Sequence, residues 1–440
     1  MSTHAATLDH AVARPARAPL AGAGLLSVGM LASGVLTYAF HVLAARSLGP
    51  AAYGQIAVLW GAMFIAAIMI FRPLEQTTSR ALADRRARGE EVGSVLRSVA
   101  WIAAVALTVI GLGVALFWAR LADTLFGGDA TMTALLLAGV AAYGASYLVR
   151  GLLGGVRWFG GYGICLIADA LGRLAIAAPL LFVASRLTAA VAVVAAGLAG
   201  AVAPFLFGRN HLRGIRRGVA AAPFPARRVL AFAAPATAIA AADQLLVNGA
   251  PLLVTLGSGR GAGSTAGVVF AATMLVRAPV YVFQGFAASL LPNLTDLHAR
   301  ANRVEFRRAV VLTAGALLGT GAVIVLAAAA FGPQAMRLVY GAGFAAGRVD
   351  LALLGLGVAF YLAASTCSQA LLALDAVRVA AVGWTVSAVL FVAAYAVAPG
   401  GPLTRISVAF ALAALVDLGL LAALLARRLA HPQPQEPLLS

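Results

Sequence analysis

A charged side chain inside a long apolar run is costly to bury, so each one marks a candidate site for an ion, a proton or a charged cargo. The sequence places few such groups. Asp243, followed by Gln244 and Asn248, sits midway along the apolar run 230–254, and Arg277 sits midway along 266–291. These two either pair with each other and fix their helices or face a cavity, and the two readings are compatible. Asp169 and Arg173 stand four apart in the run 162–184, the spacing of an internal helical salt bridge, which is the simpler reading of both. Asp417, in the run 404–426, either pairs with a neighbour or titrates with a coupling proton. The coupling-ion candidates are therefore Asp243, Asp169 and Asp417. Tyr38 and His41 share a face of the run 22–45 at i,i+3 spacing and either line a cavity mouth or pack. Arg72 and Glu75 close the run 52–71 beside Pro73. Arg72 either snorkels to the interface or meets an anionic group.

The elements that position these residues follow from composition. Of 440 residues, 62% are hydrophobic and 11% charged, and the mean hydropathy is +0.95. A soluble chain carries about 25% charged residues, so most side chains here face lipid or one another. A spanning helix needs about 20 apolar residues. Besides the runs already named, such stretches occur at 98–117, 130–148, 189–207, 309–330, 351–372 and 379–397, giving about twelve spans. With the N-terminus in the cytoplasm, inner segments hold 23 of the 32 arginines and outer segments hold 7. One span more or fewer flips every later loop and erases that bias. The positive-inside rule thus supports an even count and two cytoplasmic ends. The prediction is an all-α polytopic membrane protein without a soluble domain.

Several function classes are excluded. The basic balance does not indicate nucleic acid, because the arginines sit in short gaps between apolar runs and not on one polar surface. There is no Lys anywhere, so a Walker A phosphate loop cannot form. The glycine-rich stretch from Gly257 to Gly267 reads as a turn. Cys165 and Cys367 lie inside apolar runs and make neither a disulfide nor a metal pattern. No cofactor or metal is expected. No outer segment is large enough to build an enzyme site, and Glu90 and Glu91 read as a solvated face.

An internal repeat is visible. FRPLEQTTSRALADRRARGE from Phe71 resembles FQGFAASLLPNLTDLHARANR from Phe283, an offset of 212 positions. Each stretch ends an apolar run and enters an arginine-bearing loop. With six spans per half the copies share orientation, which makes the repeat parallel, a design in which the substrate site lies between the halves.

These residues also carry a resemblance. ARSLGPAAYGQIAVL from Ala45, LEQTTSRALADRRARG from Leu74, GLLGGVRWFGGYGICLIADALGRL from Gly151 and VRAPVYVFQGFAASLLPNLTDLHAR from Val276 resemble oligosaccharide flippases and polysaccharide biosynthesis proteins. That group belongs to the MOP superfamily, with MATE multidrug exporters and lipid II flippases. The resemblance implies two six-helix bundles around a central cavity: a tail 1–21, a bundle 22–207, a linker 208–229, a bundle 230–426 and a tail 427–440. It implies alternating access and, as cargo, a polyprenyl-pyrophosphate-linked oligosaccharide crossing the cytoplasmic membrane. Glycan polymerases or glycosyltransferases are possible partners alongside membrane lipids. On this reading Arg277 and Asp243 border the cavity with Gln244, Asn248, His41, Tyr38 and Arg72, and a cation there suits a diphosphate headgroup because a guanidinium binds phosphate bidentately. A drug or metabolite antiporter of the same fold, and a non-transporting component or enzyme of glycan synthesis, are the alternatives.

Overall fold

The computed structural model describes residues 18–208, 219, 224–259, 262–300 and 302–430. The predicted terminal tails and linker therefore lie largely outside the described residues, with Arg14, Arg17, Arg209, Arg213, Arg216, Arg217 and Arg260. The rest is almost entirely helical. The elements are α1 (Ala18–Ala87), α2 (Gly93–Leu116), α3 (Trp118–Phe126), α4 (Ala130–Gly155), α5 (Phe159–Ala177) with a 3-10 turn (Ala178–Leu181), and α6 (Arg186–Phe207). Then come α7 (Ala226–Asn248), α8 (Ala250–Ser258), α9 (Gly263–Ala299), α10 (Arg303–Tyr340), α11 (Arg348–Ala373), α12 (Val377–Val397) and α13 (Pro402–Ala430).

Straight, the 70 residues of α1 would reach about 105 Å, over three times the hydrocarbon thickness. Gly49 prevents this. Its φ of 69° lies in the left-handed region that glycine enters without a Cβ clash, and Pro50 restarts the helix in a position where proline is tolerated. Residues 18–48 and 50–87 are thus two arms, joined by one residue where the sequence suggested a six-residue turn. The segments α7 and α8 meet at a 69° bend, as in a broken span or a re-entrant loop. Nine described helices are long and apolar enough to cross a membrane, or ten if the bent pair is counted as one span. Separating the arms of α1 and adding α9 gives the twelve spans expected.

The helices outrun the predicted runs. The second arm continues sixteen residues past Phe71, to Ala87, because Ala, Leu and Arg are good helix formers and Arg88 pairs back onto Asp84 at 2.8 Å. The predicted loop 72–97 shrinks to residues 88–92. Likewise α10 exceeds the run 309–330 at both ends. Hydropathy registers the hydrocarbon-depth part of a helix and misses its polar extension.

The arms of α1 pack with α2, α4, α5 and α6 as a first half, and α7 to α13 pack as a second. The seam between them is formed by α1 against α7 and α9. One end of the molecule carries the arginine-rich connections. At the other, here the far end, the sparse arginines cap helix carbonyls: Arg46 donates to Val339 and Leu338 of α10, Arg405 to Tyr395 and Ala396 of α12. Arg186 joins Asp129 and Gln55 there. Cations suit helix C-termini, which accounts for these exceptions to the charge bias. At the arginine-rich end, Ser98 donates to the Phe224 carbonyl at 2.7 Å, and Glu90 pairs with Val219 in an isolated β-bridge.

Near the far end the seam closes backbone to backbone. A Cβ on Gly54 would lie 1.8 Å from the Gly263 oxygen, and one on Gly267 would lie 2.1 Å from the Pro50 oxygen. Pro50 and Gly263 are 213 positions apart, as are Gly54 and Gly267, close to the repeat offset. Residues i and j therefore exchange contacts reciprocally, as a two-fold axis requires.

Candidate functional site

Midway along the seam, α7 presents a polar ladder. Asn248 donates to the Gln244 amide oxygen at 2.7 Å, one helical turn back, and Gln244 donates to Asp243 Oδ2 at 2.8 Å. The other carboxylate oxygen, Oδ1, accepts the Tyr361 hydroxyl of α11 at 2.5 Å. Across the seam, an Arg72 guanidinium nitrogen of α1 stands 3.8 Å from Asp243 Oδ2. Arg72 is flanked by protein from both halves, yet 48% of its side chain is exposed, against 14% for Asp243. It is thus partly open where the two halves meet. Among the described residues Arg72 donates no hydrogen bond.

Of the two readings of Arg277, the pairing with Asp243 is not the one found among the described residues. The Arg277 Nη1 donates to the Val247 carbonyl at 2.7 Å, and the reason is local. Pro251, in the first turn of α8, has no N–H for the carbonyl four residues back, and its ring crowds that carbonyl. Arg277 supplies the missing donor. Its other face borders a crevice of about 10 Å³ among Leu354, Val358, Phe391 and Phe410 of the second half, roughly the space of one water.

In the first half, Arg173 and Asp169 meet at 2.6 Å, fully enclosed. The Tyr143 hydroxyl donates to Asp169 at 3.1 Å and accepts from Arg173 at 2.7 Å, and Thr37 accepts from Arg173 at 2.8 Å. The guanidinium lies 5.0 Å over the Trp60 ring. Asp417 is 1% exposed, and its Oδ1 has no hydrogen-bond partner among the described residues.

Of its two readings, His41 shows the packed one, and Tyr38 is half-buried beside it. His41 is fully buried, with Nδ1 3.2 Å from the Tyr53 hydroxyl and its ring against Trp60 and, from the second half, Phe270. Tyr38 meets Tyr340 of α10 edge to face at 6.5 Å. Together they form an aromatic plug across the seam, toward the far end.

Sequence reasoning missed a further cluster. Arg150, taken as a loop residue, is buried within α4, lies 4.2 Å over the Tyr147 ring and donates to Ser146 at 3.2 Å. Glu75 is buried too and accepts the Tyr162 hydroxyl at 2.5 Å. The signal was present: Tyr143, Tyr147 and Arg150 fall at i, i+4 and i+7, a polar stripe on an apolar helix. Tyr361 gave no comparable signal. Among the described residues no group of His, Cys, Asp and Glu could hold a metal ion.

The profile of the family described as "Polysaccharide biosynthesis protein" matches residues 20–298. The chain belongs to this family. An uncharacterized protein of Mycobacterium tuberculosis (strain ATCC 25618 / H37Rv) is 30% identical over 344 residues, 76% of each chain. An uncharacterized protein of Mycobacterium bovis is 29% identical over 323 residues, 72% of each. Among solved structures, a MATE transporter in the bent conformation matches with a TM-score of 0.66 at 14% identity, over 94% of this chain and 96% of that one. The lipid II flippase MurJ, in an inward closed conformation, matches with a TM-score of 0.66 at 13% identity, over 91% and 87%. The fold of this family member is thus the MOP fold, two six-helix bundles in a multi-pass membrane protein.

Proposed function

We propose that this polysaccharide biosynthesis family member is a flippase that moves a polyprenyl-pyrophosphate-linked oligosaccharide across the cytoplasmic membrane by alternating access, and not an enzyme. The observation that carries the reading is Arg72: a guanidinium in the seam between two related halves, half-exposed, with its hydrogen-bond donors uncommitted. A bidentate donor fork that is open at the boundary of the halves suits a diphosphate. The fold likeness to a lipid II flippase supports the same class. On this reading Asp243, Gln244 and Asn248 line that boundary opposite Arg72, while Arg277 acts on the helix break. The bundles are 22–207 and 230–426, the linker 208–229 and both tails are cytoplasmic, and glycan-assembling enzymes are the natural neighbours.

The alternative, a MATE-like antiporter of a drug or metabolite, draws on one observation: the seam also presents a carboxylate, Asp243. Ion coupling in either case falls to Asp417, buried and with an oxygen that has no hydrogen-bond partner among the described residues, in preference to Asp169, which Arg173 already neutralises. A non-transporting role in glycan synthesis would leave the opening at Arg72 without use. The test is reconstitution in liposomes with a fluorescent polyprenyl-pyrophosphate oligosaccharide. Wild type should move it between leaflets, and Arg72→Gln should slow it at least tenfold. A wild type that exports organic cations but never moves the lipid-linked glycan would establish the antiporter instead.

A further inference from the structure

We propose that the Arg72–Asp243 contact is a lock between the halves, opened when an anionic headgroup draws Arg72 away from Asp243; this rests on the flippase reading above. The contact crosses the seam, linking the second arm of α1 to α7, so whatever dissolves it loosens one half from the other. Two features make it displaceable.

First, the carboxylate does not depend on Arg72. Both Asp243 oxygens accept hydrogen bonds from their own half, Oδ1 from Tyr361 at 2.5 Å and Oδ2 from Gln244 at 2.8 Å. When Arg72 leaves, Asp243 remains held and hydrogen-bonded, so departure does not strand a bare buried charge. Second, the arginine is only loosely held. Its approach to Asp243 is a single 3.8 Å contact, longer than a hydrogen bond, and nearly half of the side chain is open to an incoming ligand. A single contact of this length to a half-exposed arginine is weak, whereas a phosphate can take two short charge-assisted bonds from the guanidinium fork. A diphosphate therefore outcompetes Asp243 for Arg72, and binding becomes unlocking. Without headgroup the lock biases the halves together and limits futile cycling of an empty transporter.

The experiment uses the full-length protein in nanodiscs, with Cys165 and Cys367 replaced by alanine. Spin labels at Ala87→Cys and Ala299→Cys, the arginine-rich ends of the repeat-related helices, report the distance between halves. The probes are inorganic pyrophosphate and a polyprenyl pyrophosphate without glycan. Asp243→Asn should bind the effective probe about fivefold tighter, the release of about 1 kcal/mol of competing pair. Its ligand-free distance distribution should shift toward the one that wild type reaches with probe, by about the same fivefold change in population. Arg72→Gln should also shift the resting distribution, yet show no further response. A response to both probes places recognition in the diphosphate, and a response to the polyprenyl form alone adds the lipid tail; either supports the lock. Arg72-dependent binding with no distance change in Asp243→Asn overturns the lock and leaves the headgroup reading standing. If neither probe binds wild type, both fall.

Discussion

The far-end closure rests on two glycines, and its sensitivity can be worked from their geometry. Placing a methyl group on Gly54 puts its carbon 1.8 Å from the Gly263 oxygen and 2.9 Å from the Gly267 nitrogen. Real contacts of this kind stop near 3.0 Å, so the two backbones must separate by at least 1.2 Å, the difference between 3.0 and 1.8 Å. No flexible side chain is available to give way, since every obstructing atom is main chain. Overpacking costs about 1–3 kcal/mol, and the rigid backbone argues for the upper end, so the closed arrangement should lose about a hundredfold in population against states with the far end apart. Each half keeps its own packing, which predicts opening rather than unfolding. Spin labels at Thr124→Cys on α3 and Leu338→Cys on α10, both exposed, in the background lacking native cysteines, would read the far-end distance. Gly54→Ala should move most of the population to a longer distance, and Gly267→Ala should do the same by reciprocity. The double variant should add little, because one opening relieves both clashes. Gly111→Ala and Gly113→Ala, which meet nothing within 4 Å, should leave the distribution unchanged. A Gly54→Ala protein with the wild-type distribution and melting point would refute the reasoning.

Three further outcomes follow from buried polar groups. Arg277→Met leaves the Val247 carbonyl without its donor and should lower stability by about 2 kcal/mol, read as a drop in melting temperature in detergent. Adding Pro251→Ala, which restores an N–H four residues on, should recover part of that loss, and no recovery would show that Arg277 acts elsewhere. Asp169→Asn strands the Arg173 charge in the first half and should cost about 3–5 kcal/mol, whereas replacing both by apolar residues of similar size should cost less; equal losses would mean the pair is not the unit. Asp417→Asn removes a buried ionisable group with an oxygen unpartnered among the described residues, so the melting temperature should rise while ion-driven transport falls, and transport at the wild-type rate would remove Asp417 from coupling.

What the sequence disclosed and what it withheld divide along physical lines. Spans were legible because hydrocarbon thickness imposes a length. The sixteen extra residues of the second arm of α1 were not, since helix continues into water once propensity and ion pairs such as Asp84–Arg88 favour it. Arg150 was misplaced for the same reason: a charged residue near the end of an apolar run reads as loop unless its stripe with Tyr143 and Tyr147 is weighed. Pairings were the least legible, because an arginine side chain reaches several ångströms in any direction and spacing does not choose its partner. One pairing was nonetheless available in principle. A proline at 251 within an apolar run leaves the carbonyl of Val247 unsatisfied in a medium without water, and such a group demands a donor from a neighbouring helix. Arg277 is the one arginine within the next long helix, Gly263–Ala299. Asp243 was thereby released from the partnership that charge complementarity suggested, and this is why it is available to meet Arg72 across the seam.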